Sequence, residues 1–574
     1  MSADAIRRRP YDKKIAERLH EQAFIGRVLA GRGVAGADEL ELPLKDLLLP
    51  GALKDFDRAV ELLVAAVGGG QSILIVGDYD ADGATSTALA VRVLRTVGAN
   101  VSYLVPNRFK FGYGLSREIV AVALRSKPDL IVTVDNGIAS IDGVRAAKEA
   151  GVPVLVTDHH LPPPELPAAD AIVNPNREDC SFPGKNLCGV GVIFYVMTGM
   201  IRRLQRNGWF EGRDTDAPRM TDFLDLVAIG TVADVVPLDR NNRILIEQGL
   251  RRIRAGLTYP GVLALFKVAG RDHRSATSDD LGFVIGPRLN AAGRLDDISV
   301  GIECLLSADL KTAQRIAREL DQFNRTRRKI ESGMREQGFR QVEAVLSAQS
   351  GVLPSTLCLY EPDWHEGVIG IVAGRVKEHC YRPVFAFAKA ADGMLKGSGR
   401  SIPGIHIRDV LMSIAATEPD LLSKFGGHAM AAGVSLAEHN FERFNKAFAV
   451  EVARITGGIS PHREWLSDGA LSDAEMSLLN ARALKYLQPW GQSFPAPLFD
   501  DVFHIRSVKI VGSGHSRLIL KRTDGNRDIP AMAFNRKIES NSEQKWQIVY
   551  RLDVNLFREQ ETVQLLVEHM ALIE

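Results

Sequence analysis

Between residues 51 and 245 the chain alternates short apolar runs with longer stretches that have the spacing of helices. The apolar runs are continuous, which is typical of strands buried on both faces of a parallel sheet. This alternation predicts an α/β domain with a mostly parallel sheet and helices on both of its faces. The predicted strands are 72–77, 101–105, 130–134, 154–157 and 171–174, and the predicted helices are 84–97, 117–124, 141–150 and 190–205.

Carboxylates and histidines directly follow three of these predicted strands. Ligands of such sheets bind beyond the carboxyl ends of the strands, so these side chains are expected at one edge of the sheet. Clustered carboxylates repel one another unless a cation lies between them, and a hard divalent metal is the simplest candidate. The residues are Asp78, Asp80 and Asp82 after the first strand, Asp135 after the third, and Asp158, His159 and His160 after the fourth.

A further acid, Asp234, lies alone in the apolar run 229–238. Aspartate is seldom fully buried unless it is paired or bound to a metal. The alternative is an aspartate that ends a helix as its cap. The residues alone leave both interpretations open.

Three known motifs were compared with the acidic stretch 78–83. It matches the start of an EF-hand loop, but Leu89 stands at the twelfth position, where that loop requires Glu. No lysine follows Gly83, which excludes a phosphate-binding P-loop. A phosphatase with Asp80 as its nucleophile stays open on this stretch alone, although it gives no role to the paired histidines.

Four further segments flank the predicted sheet domain. Residues 1–50 have the pattern of a helical lead-in, with a short helix at 38–49. Residues 246–350 are helical and increasingly basic, and end in a long connecting helix at 308–345. The pattern then predicts a second α/β domain over 351–457, with strands at 356–360 and 384–388.

The last segment, 460–574, has five short predicted strands separated by Gly, Asn and Asp turns. Five strands in about 100 residues are typical of an OB-type barrel. The predicted strands are 502–511, 516–522, 529–534, 547–552 and 562–569. Basic residues that could follow a nucleic-acid backbone are Arg506, Lys509, Arg517, Lys521, Arg522 and Arg527.

Three motifs outside the first domain combine small residues with hydrogen-bond donors. Segment 286–295 suits an anion-binding turn. Segments 397–401 and 426–433 are rich in glycine, which lets the backbone approach a ligand closely, and they carry donors for phosphate oxygens. Ordinary loops are the alternative in each case. The polar residues concerned are Arg288, Asn290 and Arg294 in the first motif, Ser398, Arg400 and Ser401 in the second, and His428 beside Gly426 and Gly427 in the third.

Composition changes this picture little. A chain of 574 residues with 45% hydrophobic and 25% charged residues and a net charge of +1 is typical of an ordinary globular protein of several domains. Its five cysteines are scattered and show no CxxC spacing, which argues against a disulfide framework or a zinc finger. No run reaches the roughly 18–20 apolar residues of a membrane span, and no signal-peptide core is present. We therefore expect a cytoplasmic enzyme with no membrane partner.

Taken together, these motifs resemble the DHH phosphoesterase superfamily and, within it, the bacterial exonucleases specific for single-stranded DNA. The chain's length and its OB-like end favour the exonucleases over the inorganic pyrophosphatases, oligoribonuclease-like enzymes and cyclic-dinucleotide phosphodiesterases that share the early motifs. The matching segments are 78–83, 134–137, 158–160 and 233–234 for the first four motifs, and 288–294, 397–401 and 426–433 for the later ones, the last lying in the DHHA1 substrate-binding domain.

The resemblance implies two divalent ions, Mn²⁺ or Mg²⁺. Their implied ligands are Asp80, Asp82, Asp135, His159 and Asp234, with Asp135 as the bridge. Asp78 is implied as a peripheral ligand or a supporting group. Asp158 is expected to orient a histidine, and His160 to contact the scissile phosphate or assist the leaving group. The implied substrate contacts are Arg288, Asn290, Arg294, Ser398, Arg400, Ser401, Gly426, Gly427 and His428.

The resemblance also implies the reaction, which is release of mononucleotides from single-stranded DNA in the 5′ to 3′ direction during recombination and repair. Single-strand-binding protein and recombination helicases are the implied partners. Two other functions stay open at this point. One is hydrolysis of small substrates such as pyrophosphate or short oligonucleotides, and the other is strand binding without catalysis.

Overall fold

The helices and strands that were predicted for the first domain begin and end within a few residues of their predicted bounds. The computed structural model describes residues 5–106, 114–213, 216–390, 393–459, 461–512, 514–539, 544–558 and 560–573. In this part of the chain, no helix is long and apolar enough to cross a membrane. The strands are β1 (Ala5–Arg8), β2 (Ser72–Val76), β3 (Asn100–Leu104), β4 (Leu130–Val134), β5 (Val154–Thr157), β6 (Ala171–Val173), β7 (Leu357–Tyr360), β8 (Val384–Lys389), β9 (Met394–Arg400), β10 (Lys424–Gly427), β11 (Ala431–Ala437), β12 (Glu464–Ser467), β13 (Phe499–Val511), β14 (His515–Arg522), β15 (Asp528–Ala533), β16 (Lys545–Phe557) and β17 (Gln560–Leu572).

Helices occupy much of the remaining described chain. They are α1 (Lys13–Leu19), α2 (Ala23–Ala30), α3 (Phe56–Gly68), α4 (Ala81–Thr96), α5 (Arg117–Ala123), α6 (Ile141–Glu149), α7 (Gly189–Arg206), α8 (Leu224–Ala233), α9 (Arg240–Arg254), α10 (Pro260–Val268), α11 (Ser278–Asp280), α12 (Gly286–Leu295), α13 (Ser299–Leu306), α14 (Leu310–Ala348), α15 (Ile369–Cys380), α16 (Ile407–Thr417), α17 (Phe441–Thr456) and α18 (Leu478–Leu487). A π-helical turn, Leu281–Ile285, joins α11 to α12.

The chain divides into two compact units. One contains residues 8–323 and 467–574, and the other contains residues 1–7 and 324–466. Helix α14 therefore begins in one unit and ends in the other. The C-terminal barrel belongs to the same unit as the first sheet, so the five segments predicted from the sequence are grouped into two compact bodies.

The first sheet has the strand order β3-β2-β4-β5-β6, and all neighbouring strands are parallel. The predicted mostly parallel sheet is confirmed. Strand β4 is buried along its whole length, as expected for a strand covered on both faces. The strand order reverses between β2 and β4, and ligands of such sheets bind at this switch point, beyond the carboxyl ends of the strands.

Two glycines allow helices to lie close to this switch point. A Cβ atom on Gly83 would lie 2.4 Å from the carbonyl oxygen of Asp78, so only glycine lets the first turn of α4 approach the end of β2. A Cβ atom on Gly189 would lie 2.5 Å from the Cβ atom of Asp135, which is the equivalent constraint at the start of α7. The N-termini of two helices are thus brought against the acidic strand ends.

The second unit is built on a sheet with the order β10-β11-β9-β8-β7. Strands β7 and β8 are parallel, and the other pairs are antiparallel. Its core contains Phe385, Phe387, Phe444 and Phe448, all fully buried. The predicted second α/β domain is confirmed, although its sheet is mainly antiparallel.

The C-terminal strands form a closed barrel with the order β13-β14-β15-β17-β16. Strands β15 and β17 pair in parallel, and the other neighbouring pairs are antiparallel. Five strands in a closed Greek-key barrel are the OB architecture, which confirms the prediction.

Two local predictions are wrong. The short helix expected at 38–49 is replaced by two 3₁₀ turns, Ala37–Glu39 and Leu44–Asp46, because Pro43 between them removes a backbone donor that a helix needs. The anion-binding turn expected at 286–295 is helix α12. Pro287 lies in the first turn of this helix, where the missing N–H costs nothing, and the residues after it include good helix formers.

Arg32 fastens the N-terminal segment to the segment that leads into the barrel. Its Nη1 and Nη2 atoms each donate to an oxygen of Asp468 at 2.9 Å, and its Nε atom donates to the Pro495 carbonyl at 2.6 Å. Both charged side chains are buried. A buried, bidentate ion pair of this kind is strongly destabilising when one partner is removed, because the other charge stays in the interior.

We predict that Arg32→Ala lowers the free energy of unfolding by about 3–5 kcal/mol. Chemical denaturation monitored by circular dichroism provides the measurement. Arg145→Ala is the matched control, since Arg145 forms an exposed pair with Asp142 that contributes less than about 1 kcal/mol. Equal small losses in both variants would show that the buried pair does not hold this junction together.

Candidate metal centre

The acidic residues predicted from the strand ends converge at the switch point of the first sheet. Three groups of metal-binding side chains form there, and within each group the ligand atoms lie within 4.8 Å of one another. Two residues, Asp135 and His159, each belong to two groups, so the groups form one continuous centre. They are Asp78–Asp80–Asp135, Asp82–His159–Asp234 and Asp135–His159–His160.

His159 brings one imidazole nitrogen close to three carboxylates. Its Nε2 atom lies 3.1 Å from Asp135 Oδ1, 3.5 Å from Asp234 Oδ2 and 3.9 Å from Asp82 Oδ2. The loop that carries it is fixed by Asn176, whose side chain donates to the His159 carbonyl at 2.6 Å. A mixed set of carboxylate oxygens and an imidazole around a single point is a donor set that suits a divalent transition metal.

Two of the carboxylates also hold helix N-termini. Asp80 caps α4, where its Oδ1 atom accepts from the backbone N–H groups of Asp82 and Gly83 at 2.9 and 3.0 Å. Asp82 accepts from the N–H groups of Gly189 and Val190 at the start of α7, at 2.6 and 2.9 Å. The positive ends of two helices therefore offset part of the negative charge that the centre concentrates.

Asp135 adopts a backbone conformation that is unusual for a residue with a side chain. Its φ is +62°, in the left-handed region, which costs about 1–3 kcal/mol for a non-glycine residue. The side chain is buried against Gly189 at the start of α7. Strain of this kind persists where the surroundings impose it, and here it holds the carboxylate shared by two of the three groups.

Asp234 caps a helix, and it also lies where a metal ligand is expected. It follows the last residue of α8 as the C-terminal cap, and its carboxylate also joins the group formed with Asp82 and His159. The next residue, Val235, again has a left-handed backbone, with φ at +61°. The end of α8 is thus bent at the point where it delivers a carboxylate to the centre.

Asp158 orients His160. Its Oδ1 atom lies 2.8 Å from His160 Nδ1 and accepts from the backbone N–H groups of both histidines, while its Oδ2 atom accepts from Ile138 N–H at 2.8 Å. Burial acts to raise the pKa of Asp158, but the hydrogen bond and charge of His160 lower it below its ordinary value. Burial opposes the charged form of His160, yet the bond to Asp158 raises its pKa to about 9. Asp158 therefore orients the His160 imidazole and favours its protonated form.

The pKa values of four other carboxylates in the centre are raised, whereas that of Asp158 is lowered. Burial, followed by repulsion from Asp80, raises the pKa of Asp82 to about 7. The same two causes raise the pKa of Asp78 well above its ordinary value, and burial and repulsion from Asp82 do so for Asp135 and Asp234. Acids that resist ionisation because of one another are stabilised by an added cation. The donor set therefore fits divalent metal ions, as the sequence predicts.

The residues of α12 play structural parts that sequence reasoning did not foresee. Arg288 is buried and paired with Asp321, with Nε 3.0 Å from Oδ1, and it donates to the Val284 carbonyl. Asn290 accepts from the Ala81 N–H at 2.7 Å and so fastens α12 to the loop that carries the first three aspartates. These contacts differ from the substrate contacts expected of both residues. Arg294 is half-buried in the last turn of the helix.

A second candidate site lies within the other unit. Arg400 Nη1 donates to Ser398 Oγ at 3.0 Å and to the Gly399 carbonyl at 2.8 Å. A Cβ atom on Gly370 would lie 2.7 Å from Arg400 Nη2 and 2.8 Å from Ser398 Oγ, so the first turn of α15 adjoins both side chains. Burial lowers the pKa of Arg400. An arginine, a hydroxyl and a helix N-terminus together suit a phosphate group.

Two other predicted residues of this unit lie differently. Ser401 is buried, and its hydroxyl donates to the Ile405 carbonyl at 2.7 Å, so it shapes a loop and differs from the expected substrate contact. His428 is exposed in the hairpin that joins β10 to β11, next to Gly426 and Gly427.

Sequence reasoning missed several supporting groups. Asn174 and Asn176 donate to the carbonyls of His160 and His159 at 2.9 and 2.6 Å. The rule that located Asp135 would have found Asn174, which directly follows the buried strand β6, and Asn176 comes two residues later. Gly370 left no such signal, because its closeness to Arg400 arises from packing between distant parts of the chain.

We predict that the metal-free protein loses stability as the pH rises from about 4 to 7. Between these pH values Asp82 ionises in the unfolded chain, where its pKa is the ordinary 3.8. In the folded chain the pKa of Asp82 is about 7, so the carboxyl stays protonated and folding becomes less favourable as the pH rises. Asp234→Asn removes one of the repelling charges. In EDTA, this variant should therefore melt at a higher temperature than the wild type at pH 8 and at a similar temperature at pH 5.

The measurement is the melting temperature at both pH values, with and without Mn²⁺. Asp142→Asn serves as the control, because Asp142 is an exposed surface acid. Mn²⁺ should raise the melting temperature of the wild type at pH 8 by more than that of Asp234→Asn. If the melting temperatures of wild type and Asp234→Asn changed equally with pH, the inferred repulsion between the buried carboxylates would be contradicted.

Comparison with known proteins identifies the family of the chain. Three family models match the chain: the DHH family N-terminal domain over residues 72–231, the DHHA1 domain over residues 351–453 and the RecJ OB domain over residues 467–569. Curated relatives similar to the chain over nearly its whole length are named single-stranded-DNA-specific exonuclease RecJ. That of Salmonella typhimurium is 49% identical over 567 residues and that of Escherichia coli 47% identical over 569 residues, each alignment covering 98% of this chain and 98% of the relative.

Solved structures extend the similarity to the fold. RecJ from Thermus thermophilus in complex with Mn²⁺ has a TM-score of 0.81 and 29% sequence identity, covering 99% of this chain and 79% of that chain. The same protein in complex with Mg²⁺ has a TM-score of 0.74 and 26% identity, covering 99% and 78%. The resemblance stated from the sequence motifs is confirmed. The chain belongs to the RecJ family of DHH proteins.

Proposed function

We propose that this chain is a metal-dependent exonuclease that degrades single-stranded DNA from the 5′ end and releases mononucleotides. The observation that carries the proposal is the continuous centre of carboxylates and imidazoles in a chain nearly half identical to exonucleases of that name. The 5′ to 3′ polarity rests on the family resemblance. The chain would act in the cytoplasm, where single-strand-binding protein and recombination helicases would be its partners.

Two divalent ions, Mn²⁺ or Mg²⁺ as in the solved relatives, would supply Lewis acidity at the phosphorus and lower the pKa of the attacking water. The chain would hold them through the side chains of the three groups. Asp135 is proposed to serve both ions, because it belongs to the group of Asp78 and Asp80 and lies 3.1 Å from His159, which belongs to the group of Asp82 and Asp234. His159, Asp82 and Asp234 would hold one ion, and Asp80 and Asp78 would hold the other. The helix N-termini behind Asp80 and Asp82 keep both carboxylates in fixed orientations.

His160 is the group best placed to handle a proton. Asp158 holds its Nδ1 atom at 2.8 Å and raises its pKa, which orients the imidazole and favours the form that carries a proton. We propose that Nε2 contacts the scissile phosphate and donates a proton to the departing oxygen. Asp158 fixes the direction of that donation through its bonds to three backbone N–H groups.

The second unit would bind a phosphate group of the strand. Burial lowers the pKa of Arg400, and its guanidinium donates to two neutral acceptors, the Ser398 hydroxyl and the Gly399 carbonyl. A phosphate at this point would supply the negative charge that the guanidinium favours, and the first turn of α15 would donate N–H groups. Gly426, Gly427, His428 and Arg294 stay proposed substrate contacts.

The barrel would bind the strand beyond the site of cleavage. Lys509 and Arg517 are exposed and lie opposite each other on β13 and β14, and Met532 on β15 is the next residue in that row. Phe534, just beyond β15, is exposed, and its ring packs edge-on against His515. Cations beside an aromatic ring on one outer face suit a single strand.

Two of the six basic barrel residues singled out in the sequence have other partners. Arg522 pairs with Asp501 at 2.9 Å and with Asp524, and Arg527 donates to the Met476 carbonyl. We therefore restrict the proposed strand-binding face to the outward positions around Lys509 and Arg517.

We predict that Asp82→Ala and His159→Ala each reduce degradation of a single strand in Mn²⁺ by more than about 100-fold, because loss of a supporting residue alone costs 10- to 100-fold in many metal sites. The assay follows the products of 5′- and 3′-labelled single strands and duplexes. His273→Ala is the control. His273 lies in a 3₁₀ turn that packs on α9, and it is not one of the residues of the metal centre. Melting temperatures establish that each variant is folded.

The wild-type product pattern separates the remaining functions. Mononucleotides released from the 5′ end of single strands support the proposal, whereas release from the 3′ end contradicts the polarity. Hydrolysis of pyrophosphate or dinucleotides without strand degradation would favour a small-substrate phosphohydrolase. Strand binding without hydrolysis in either metal would favour a binding protein.

We further predict that Arg400→Gln raises the KM for single-stranded DNA about tenfold or more and changes kcat less, because a charge-assisted bond to phosphate contributes roughly 1.5–3 kcal/mol. Lys396→Gln is the matched control, as Lys396 lies on the same strand but is paired with Glu366 at 2.6 Å. An unchanged KM in Arg400→Gln would remove Arg400 from the proposed phosphate site.

A further inference from the structure

Phe283 is an aromatic side chain that the fold holds out in solvent. It is 74% exposed, whereas phenylalanine is among the residues most often buried. It occupies the middle of the π-helical turn Leu281–Ile285. Such turns are rare and are frequently found at functional sites, which makes this exposed ring a candidate for contact with a ligand.

The π-helical turn packs on the end of the helix that carries Asp234. A Cβ atom on Gly282 would lie 3.1 Å from Val232 Cγ1, and one on Gly286 would lie 3.1 Å from Ala233 Cβ. Both contacts are with the last residues of α8, directly before Asp234. The turn that presents Phe283 therefore lies against the two residues that lead into Asp234.

The helix that follows the turn borders the centre on a second side. Asn290 accepts from the Ala81 N–H at 2.7 Å, and a Cβ atom on Gly293 would lie 2.1 Å from the Tyr79 carbonyl oxygen. The π turn and α12 thus run from the end of α8 to the loop of the first aspartates. Phe283 lies at the beginning of this path.

Val235 adds a second exposed apolar side chain to the same rim. It is 63% exposed and has a left-handed backbone, a conformation that β-branched residues rarely adopt. Its N–H donates to the Val232 carbonyl at 3.3 Å, and the same carbonyl oxygen lies 4.0 Å from the Cβ position of Gly282. Val235 and the π turn therefore both lie close to the carbonyl of Val232.

We propose that Phe283, with Val235 at its edge, is a platform on which a base next to the scissile phosphate stacks. This inference rests on the proposed exonuclease function. A nucleotide whose phosphate lies on the metal centre carries its flat, apolar base to one side, and an exposed ring there can accept it whatever the base is. Stacking on a protein ring requires a base released from its own duplex, so the platform also favours single strands over duplexes.

The test combines protein variants with modified strands. The variants are Phe283→Ala, which removes the ring, Phe283→Trp, which keeps a stacking face, and Leu257→Ala as a control that shortens another exposed apolar side chain of the same unit. The substrates are a single strand of about 20 nucleotides and versions that carry one abasic residue at each of the first positions from the cleaved end. Steady-state degradation gives KM and kcat for each pair, and melting with Mn²⁺ verifies metal binding.

We expect Phe283→Ala to raise the KM for the intact strand about fivefold or more, the loss typical of one stacked base, with Mn²⁺ binding unchanged. Phe283→Trp should restore the KM, and Leu257→Ala should leave it unaltered. The penalty of Phe283→Ala should largely disappear at one abasic position, because the base that the ring contacts is already absent there. A wild-type KM for Phe283→Ala, or the same penalty at every abasic position, overturns the platform.

A failure of the proposed function would look different. If the wild type degrades no strand, the exonuclease proposal is wrong, and the platform is then judged by fluorescence anisotropy with the same strands in Ca²⁺. Weaker binding by Phe283→Ala that depends on one base supports a stacking site. Equal binding by wild type and Phe283→Ala contradicts it.

Discussion

The mutual repulsion of buried carboxylates is the constraint on which the rest of this structure depends. Asp78, Asp82 and Asp135 lie buried beyond the ends of β2 and β4, and burial and repulsion raise the pKa of each. A fold that assembles such a group needs compensation from its own dipoles and from an added cation. The chain provides the first part by directing the N–H groups of α4 and α7 at Asp80 and Asp82.

The two histidines of the centre have different charged partners. His159 faces three carboxylates, while His160 is turned to Asp158, which other backbone groups already bind. The two adjacent histidines thus differ in their nearest partners, although both belong to the group that contains Asp135. This difference separates the proposed metal ligand from the proposed proton donor, and it follows from where Asp158 sits at the end of β5 and not from the histidines themselves.

Most of this centre could be predicted from the sequence, because a parallel sheet converts position along the chain into position in space. Residues that directly follow buried strands must meet at one edge, and for this reason Asp80, Asp135 and His159 were recognisable without coordinates. Asp234 was harder to predict as a member of the centre, because it follows a helix and its position depends on how α8 packs. Arg288 was predicted to contact substrate, yet Asp321 engages it from 33 residues away, a partner that no local pattern reveals.

The exposure of Phe283 is another feature that no local sequence pattern reveals. An aromatic residue between Gly282 and Val284 looks like part of a core, and its exposure depends on a π-helical turn whose extra residue rotates the following side chains away from an α-helical spacing. Gly282 and Gly286 let that turn pack closely on the end of α8. Its neighbour Val235 is likewise held in the left-handed region where α8 ends. Both deviations occur where a carboxylate must be delivered to the metal centre, so the geometry that positions Asp234 is also what presents an apolar rim beside it. A substitution that relaxed either deviation would therefore alter metal binding and strand binding together, whereas removal of the Phe283 ring alone separates the two.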